Sequence, residues 1–277
     1  WTASSTPTVS GDHCFVQGSA AIYCFSVNNG DLVWKSETGV SNASPVVQGG
    51  TVFTLAPPGL TAYDAATGKT LWNLPEIEHH ESSPVLWNNN GKTCIICYSG
   101  PNIVCVDAAK GKVMWNTLLR RGIHTASPIV VGDIAVARGH LTMKCFKLTP
   151  SEPQELWSVN NGSVSSPVVY NGLVYILGRR SILCIDLKTG EVQWKERTYK
   201  AKVPSPIAAD GKIITWVSQK KSRKRHLIQF KADGDAFELQ GDMVPSSVPA
   251  HFATPIVANG KLYVRYIDGI ACYDLRK

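Results

Sequence analysis

A Ser or Thr followed by Pro recurs seven times along the chain, at Thr6-Pro7, Ser44-Pro45, Ser83-Pro84, Ser127-Pro128, Ser166-Pro167, Ser205-Pro206 and Thr254-Pro255. Successive prolines are 38, 39, 44, 39, 39 and 49 residues apart, which divides the 277 residues into seven similar units. A period of this kind constrains the fold more than local propensity does, because a single unit cannot bury its apolar face alone and must stack on its neighbours. Each unit has a short run after the Pro, a Gly-containing turn, a β-branched or aromatic run, a loop, a third run, a second Gly turn and a last run bearing Trp. In the second unit these are Pro45-Val46-Val47, Gln48-Gly49-Gly50, Thr51 to Leu55, Ala56 to Gly59, Leu60 to Asp64, Thr67-Gly68-Lys69 and Leu71-Trp72. Four short strands separated by turn residues make one blade of a β-propeller. Amphipathic helical periodicity is absent, which argues against a parallel α/β sheet.

The expected fold is therefore all-β: a seven-bladed β-propeller of four-stranded antiparallel blades, one domain over residues 1–277, with blades beginning near Pro7, Pro45, Pro84, Pro128, Pro167, Pro206 and Pro255. The last unit runs through Cys272-Tyr273-Asp274-Leu275 without reaching a Trp. The N-terminal segment at Trp1 is expected to complete that blade and close the ring, removing an open sheet edge.

The segment Ala62-Tyr63-Asp64-Ala65-Ala66-Thr67-Gly68-Lys69-Thr70-Leu71-Trp72 resembles the Ala-x-Asp-x-x-x-Gly-Lys-x-x-Trp docking motif of the quinoprotein (PQQ-like) β-propeller repeat at every defined position. Cys105 to Trp115 and Cys184 to Trp194 follow it closely. Cys24 to Trp34 keeps the Gly and Trp, and Cys145 to Trp157 is stretched by Thr149 to Pro153. The sixth unit runs from Gln229 to Phe237, read with Phe237 in the place of Trp. The resemblance covers almost the whole chain and implies a WD40-like architecture. Within it Trp1, Trp34, Trp72, Trp115, Trp157 and Trp194 are expected to dock one blade on the next, filling the wedge between them. This is a structural role, not a catalytic one.

Five cysteines, Cys24, Cys105, Cys145, Cys184 and Cys272, occupy the position of Ala62. Equivalent points on neighbouring blades lie about one sheet spacing apart, ~10 Å, beyond the ~7 Å Cα limit for a disulfide. Buried thiols are expected there. Cys94 and Cys97 have Cys-x-x-Cys spacing, but on a strand i and i+3 face opposite sides, which disfavours a zinc or redox site.

With 28 Lys plus Arg against 21 Asp plus Glu, the net charge is +7, which favours acidic partners where the excess is concentrated. In a propeller of this class the lead-in to each first strand and the loop between second and third strands share one face. Arg120, Arg121, Lys200 and Lys202 fall in lead-ins; Arg138, Arg179, Arg180, Arg265 and the run Lys220 to His226 fall in loops. Counting four residues back from each repeat Pro gives Ala3, Ser41, His80, His124, Ser163, Lys202 and His251. The expected ligand-binding set is His80, His124, Lys202, His251, Arg120, Arg121, Arg138, Arg179, Arg180, Arg265 and Tyr266. His80, His124 and His251 are also the candidate metal ligands. The competing structural reading is a polar channel-mouth position at which His, Ser and Lys are all acceptable.

These features point to a non-catalytic binding or scaffolding propeller that engages an acidic ligand or protein partner through a basic, His-lined face. An alternative is a lyase acting on uronic-acid glycans, with His80, His124, His251, Tyr266 and Arg265 moving protons and neutralising a carboxylate. A second is a PQQ-dependent dehydrogenase, disfavoured because those enzymes have eight blades in a longer chain and place carboxylates around Ca²⁺ beside the quinone, whereas this chain has neither that length nor a Cys-Cys pair. No cofactor is expected; PQQ with calcium does not suit the inner positions, and a channel-mouth metal is the one candidate ion. More similar are the small bacterial proteins of this repeat class that bind no quinone, including an outer-membrane assembly scaffold.

No run of about 18 apolar residues is present for a membrane-spanning helix, and nucleic acid is a less favoured partner. A monomer is expected. The resemblance and the start at Trp1 favour an exported protein, periplasmic or extracellular, while eight unpaired cysteines favour a reducing compartment.

Overall fold

The computed structural model describes residues 5–79, 81–119, 126–139, 141–161, 165–200, 205–219, 224–245, 247 and 253–276. Their regular structure is entirely β, arranged as seven antiparallel sheets over 8–37, 46–74, 85–118, 129–160, 168–196, 199–243 and 256–274, here blades 1 to 7. The first strand of each blade begins on the residue after its repeat proline, at Thr8, Val46, Val85, Ile129, Val168, Ile207 and Ile256. Pro suits that boundary: it holds the preceding residue extended and brings no N–H that would need a ladder partner.

Within a blade the strands are ordered as in the sequence. Tight first hairpins follow from residues that tolerate positive φ, such as Asn171-Gly172 at 47° and 77° and Asp210-Gly211 at 48° and 69°, the signature of two-residue type I′ loops. The third and fourth strands slip register just after the motif's small residue. The slip follows Cys24↔Trp34, Ala62↔Trp72, Cys105↔Trp115 and Cys184↔Trp194.

Blades 6 and 7 depart from four strands. Blade 6 has a fifth, Tyr199–Lys200, paired with the far end of Lys212–Gln219 through Tyr199↔Gln219 and Lys200↔Ser218. Lys200 therefore lies in a strand and not in a free lead-in. Blade 7 has three strands among the described residues, Ile256–Ala258, Lys261–Arg265 and Ile270–Asp274. The Trp1 segment expected to complete it lies outside those described.

The backbone falls into two compact units, 1–140 with 146–155, and 141–145 with 156–277. In each, the core is made of apolar layers between successive blades. Phe53, Leu55 and Leu60 of blade 2 meet Ile95, Cys97 and Val104 of blade 3; Tyr175, Cys184 and Trp194 of blade 5 meet Ile213, Ile228 and Phe230 of blade 6. Cys94 belongs to the layer on the other side of blade 3, with Trp87, Trp115 and Phe146. The Cys94–Cys97 pair is thus split across two faces of one strand.

All eight cysteines are free thiols, and Cys24, Cys94, Cys97, Cys105, Cys145 and Cys184 are buried. Burial pushes the Cys24 thiol up to about 11 and the Cys97 and Cys184 thiols up to about 12. Cys272, expected to be buried like its equivalents, is exposed. No helix among the described residues is long and apolar enough to cross a membrane.

Candidate functional site

The recurring Trp carries the blade-to-blade contact. Its indole N–H donates to a backbone carbonyl of the next blade: Trp34 to Ala65 at 2.9 Å, Trp72 to Ala108 at 3.0 Å, Trp115 to Thr149 at 3.0 Å, Trp157 to Leu187 at 2.9 Å and Trp194 to Asp233 at 3.0 Å. In three of the five the motif Gly of the receiving blade lies beneath the ring, and a Cβ at Gly68, Gly111 or Gly190 would sit 2.4–2.6 Å from Trp34, Trp72 or Trp157. These glycines also hold φ of +72°, +59° and +76°. The motif Asp closes the same turn, Asp64 accepting from the Thr67 N–H at 2.8 Å and the Thr67 hydroxyl at 2.7 Å. Those donors hold the Asp64 carboxyl below its ordinary value, and Thr189 does the same for Asp186.

Blade 6 breaks the pattern, and not where the sequence suggested. Its register slips between Gln229 and Phe230, and the residue opposite Gln229 is Gly241. Gly241, not Phe237, stands at the docking position. Phe237 instead packs back into the layer between blades 5 and 6, with ring centroids 5.7 Å from Trp194, 5.0 Å from Phe230 and 5.9 Å from Tyr199. A cleft of about 230 Å³ remains between blades 6 and 7.

The Ser/Thr-Pro repeat has its own structural purpose. Before four of the seven prolines the hydroxyl accepts a backbone N–H from the preceding blade: Thr6 N–H to Ser44 Oγ, Ser44 N–H to Ser83 Oγ and Ser83 N–H to Ser127 Oγ, each 2.8 Å, and Ser166 N–H to Ser205 Oγ at 3.1 Å. The sequence shows the period; the hydroxyl's partner lies in another repeat and becomes visible only in three dimensions.

In each unit the lead-ins and the loops between second and third strands meet on one side. In the first, Thr38 N–H donates to Ala20 O at 2.9 Å, Gly39 N–H to Pro57 O at 2.8 Å and Leu119 N–H to Pro101 O at 3.0 Å. In the second, Asn161 N–H donates to Leu141 O at 2.9 Å.

Of the sequence-derived site residues, His80, His124, Lys202, His251, Arg120 and Arg121 lie outside the described residues, as does Trp1. Ser41, the one described member of the four-back series, is buried and donates its hydroxyl to Leu55 O at 2.7 Å while accepting the Ala43 N–H. Arg138 ends the second strand of blade 4, and its backbone N–H donates to Tyr98 Oη at 2.7 Å. Arg179 and Arg180 are exposed on the bend after Leu177, and Arg265 is exposed at the end of Lys261–Arg265. Tyr266 is 7% exposed, with its hydroxyl 3.0 Å from that of Tyr273 and its ring edge-on to Trp216. Burial and the neighbouring phenol push its pKa upward. Tyr266 is thus placed as a core residue.

Arg225 and His226, assigned to a loop from sequence, open the strand Arg225–Lys231. His226 is buried, with Nδ1 2.6 Å from Asp242 Oδ1. No group of three or more His, Cys, Asp or Glu arranged to hold a metal occurs among the described residues.

Seven sheets, five of which dock through a Trp on a turn of the next blade, define a seven-bladed β-propeller of PQQ-like repeats. The chain belongs to the outer membrane protein assembly factor BamB family, whose model matches residues 1–196 and, in a second match, 121–237. Among solved structures, BamB from Moraxella catarrhalis is similar with a TM-score of 0.75 at 15% identity, over 95% of this chain and 81% of that one. The C-terminal WD40 domain of Sif2 gives 0.69 at 15% identity over 97% and 79%, and the computationally designed Ika8 protein 0.68 at 16% over 99% and 84%. At such identities the likeness is one of fold. No curated protein matches the chain in sequence.

Proposed function

We propose that this chain is a non-catalytic scaffolding propeller that holds an acidic segment of a protein partner on the side built from the lead-ins and the second-to-third-strand loops. The observation that carries the reading is the exposed pair Arg179 and Arg180, with Arg265 exposed at the end of the corresponding second strand of blade 7. None of the ion pairs between described residues uses these three side chains. Guanidinium groups not committed to internal carboxylates are available to bind carboxylates bidentately. Membership of a family described by outer membrane protein assembly supports a protein as the partner and an exported location for this chain. No cofactor enters this reading.

The test uses poly-L-glutamate as the acidic probe, with binding followed calorimetrically for the parent and for R179E/R180E. The reading expects saturable binding by the parent and at least about tenfold weaker binding by the variant, a loss of about 1.4 kcal/mol. Equal affinity of the two proteins would overturn it.

A further inference from the structure

Among blades 1 to 6, whose fourth strands are described, blade 6 is the one with no indole at the docking position. Its cross-strand row reads Ile214, Gln229, Gly241, where blade 5 has Tyr175, Cys184, Trp194. Two changes are coupled here. The small residue that elsewhere leaves room for the Trp has become Gln229, and the Trp has become Gly241. The Gln occupies only part of the space. Trp216 fills another part of the layer between blades 6 and 7, within the cluster that contains Val264 and Tyr266.

The cleft that remains has apolar walls from Ile214, Leu227 and Met243 of blade 6 and Leu262, Tyr273 and Leu275 of blade 7. Its acceptor is also in position. Leu275 N–H donates to Gly260 O at 2.8 Å, as Ala65 N–H does to Gly50 O and Leu187 N–H to Gly172 O. Leu275 thus corresponds to the two residues whose carbonyls receive the indoles of Trp34 and Trp157. A Cβ added at Gly241 would meet only Gln229 Cβ, at 3.6 Å, an ordinary contact. The space exists because the residue is Gly, and the described residues around it have not collapsed into it.

We propose that this cleft binds one indole-sized aromatic side chain, presented by an extended segment of a partner protein that pairs with the strand Leu239–Met243. Among the described residues that strand is the outer edge of its sheet, hydrogen-bonded to Arg225–Lys231 alone, so its outward N–H and C=O groups can take an added strand. An aromatic residue directly across from an edge glycine packs over the bare backbone, a known way of stabilising such glycines. Apolar cavities of this order accept aromatic rings. This site is independent of the arginine loops and does not rest on the reading above.

The experiment titrates the whole protein with an acetylated, amidated Thr-Val-Trp-Val-Thr peptide, with its Ala counterpart and with N-acetyltryptophanamide, at low and high NaCl. The Trp peptide saturates one site at either salt concentration, the Ala peptide does not bind, and the free amide binds at least about tenfold more weakly than the peptide. Q229A/G241W fills the cleft from within: it melts no lower than the parent and loses the peptide. G241L, a smaller filling, provides the same test if the double variant does not fold. R179E/R180E leaves peptide binding unchanged, which separates this site from the acidic-partner face. Equal binding of the Trp and Ala peptides, or binding that survives either folded filling variant, would overturn the proposal. A free amide that binds as tightly as the peptide would overturn the protein-segment assignment in favour of a small aromatic ligand.

Discussion

Trp157 lies with its indole against the bare Cα of Gly190 and donates its Nε1–H to the Leu187 carbonyl at 2.9 Å, so one side chain seals the boundary between blades 4 and 5 twice over. Truncating it removes both contacts. Trp157→Ala is expected to lower the unfolding free energy by about 3–5 kcal/mol, read from urea denaturation. Gly190→Ala should be costly without any loss of contact, by at least about 2 kcal/mol, since it puts a Cβ at φ +76° and within 2.4 Å of Trp157 Cγ.

The hydroxyls before the repeat prolines predict a smaller and more selective effect. Ser83→Ala leaves the Ser44 N–H, 2.8 Å from Ser83 Oγ, without its acceptor, at a cost of about 1–2 kcal/mol. Ser83→Thr keeps the hydroxyl, as Thr6 and Thr254 do in their own repeats, and should be close to neutral in the same denaturation assay.

Much of this was legible in the sequence, for a physical reason. Pro at a strand start is demanded of every blade and a docking Trp of most of them, so they recur and are seen by comparing a chain with itself. The seven first strands and the docking roles of Trp34, Trp72, Trp115, Trp157 and Trp194 were read in this way. Blade 6 was misread because an aromatic residue, Phe237, was the natural substitute for a missing Trp; the register that selects Gly241 depends on a slip at Gln229 that spacing does not reveal. The exposed loop arginines were found by position, whereas the commitment of Tyr266 to Tyr273 depends on packing between two strands.

Thiol chemistry tests the burial pattern. At pH 8 iodoacetamide should modify Cys272 in the folded protein and leave Cys24, Cys94, Cys97, Cys105, Cys145 and Cys184 intact until denaturant is added, with mass spectrometry locating the label. Their burial keeps reagent out, and for Cys24, Cys97 and Cys184 it also raises the pKa to about 11 or 12, which leaves little thiolate. Early modification of Cys97 would contradict the layered packing of blade 3.

Acid should weaken the docking turns. The Asp64 and Asp186 carboxyls have depressed pKa values in the folded protein because Thr67 and Thr189 donate to them. Their stabilisation is therefore fully present above the unfolded-state value of about 3.9 and is lost as pH falls through the lower folded value. D64N/D186N should show a shallower fall in stability between about pH 5 and pH 2 than the parent, measured as the urea midpoint at each pH.

The central claim is that exposed arginines on the loop side take an acidic protein partner. It is tested most directly by the salt dependence of poly-L-glutamate binding, followed from about 0.05 to 1 M NaCl as the screening length falls from over 10 Å to about 3 Å. The account predicts that affinity declines steadily with salt in the parent and that this dependence is much flatter in R179E/R180E/R265E. An affinity independent of salt, or a triple variant with the parent's slope, would contradict it.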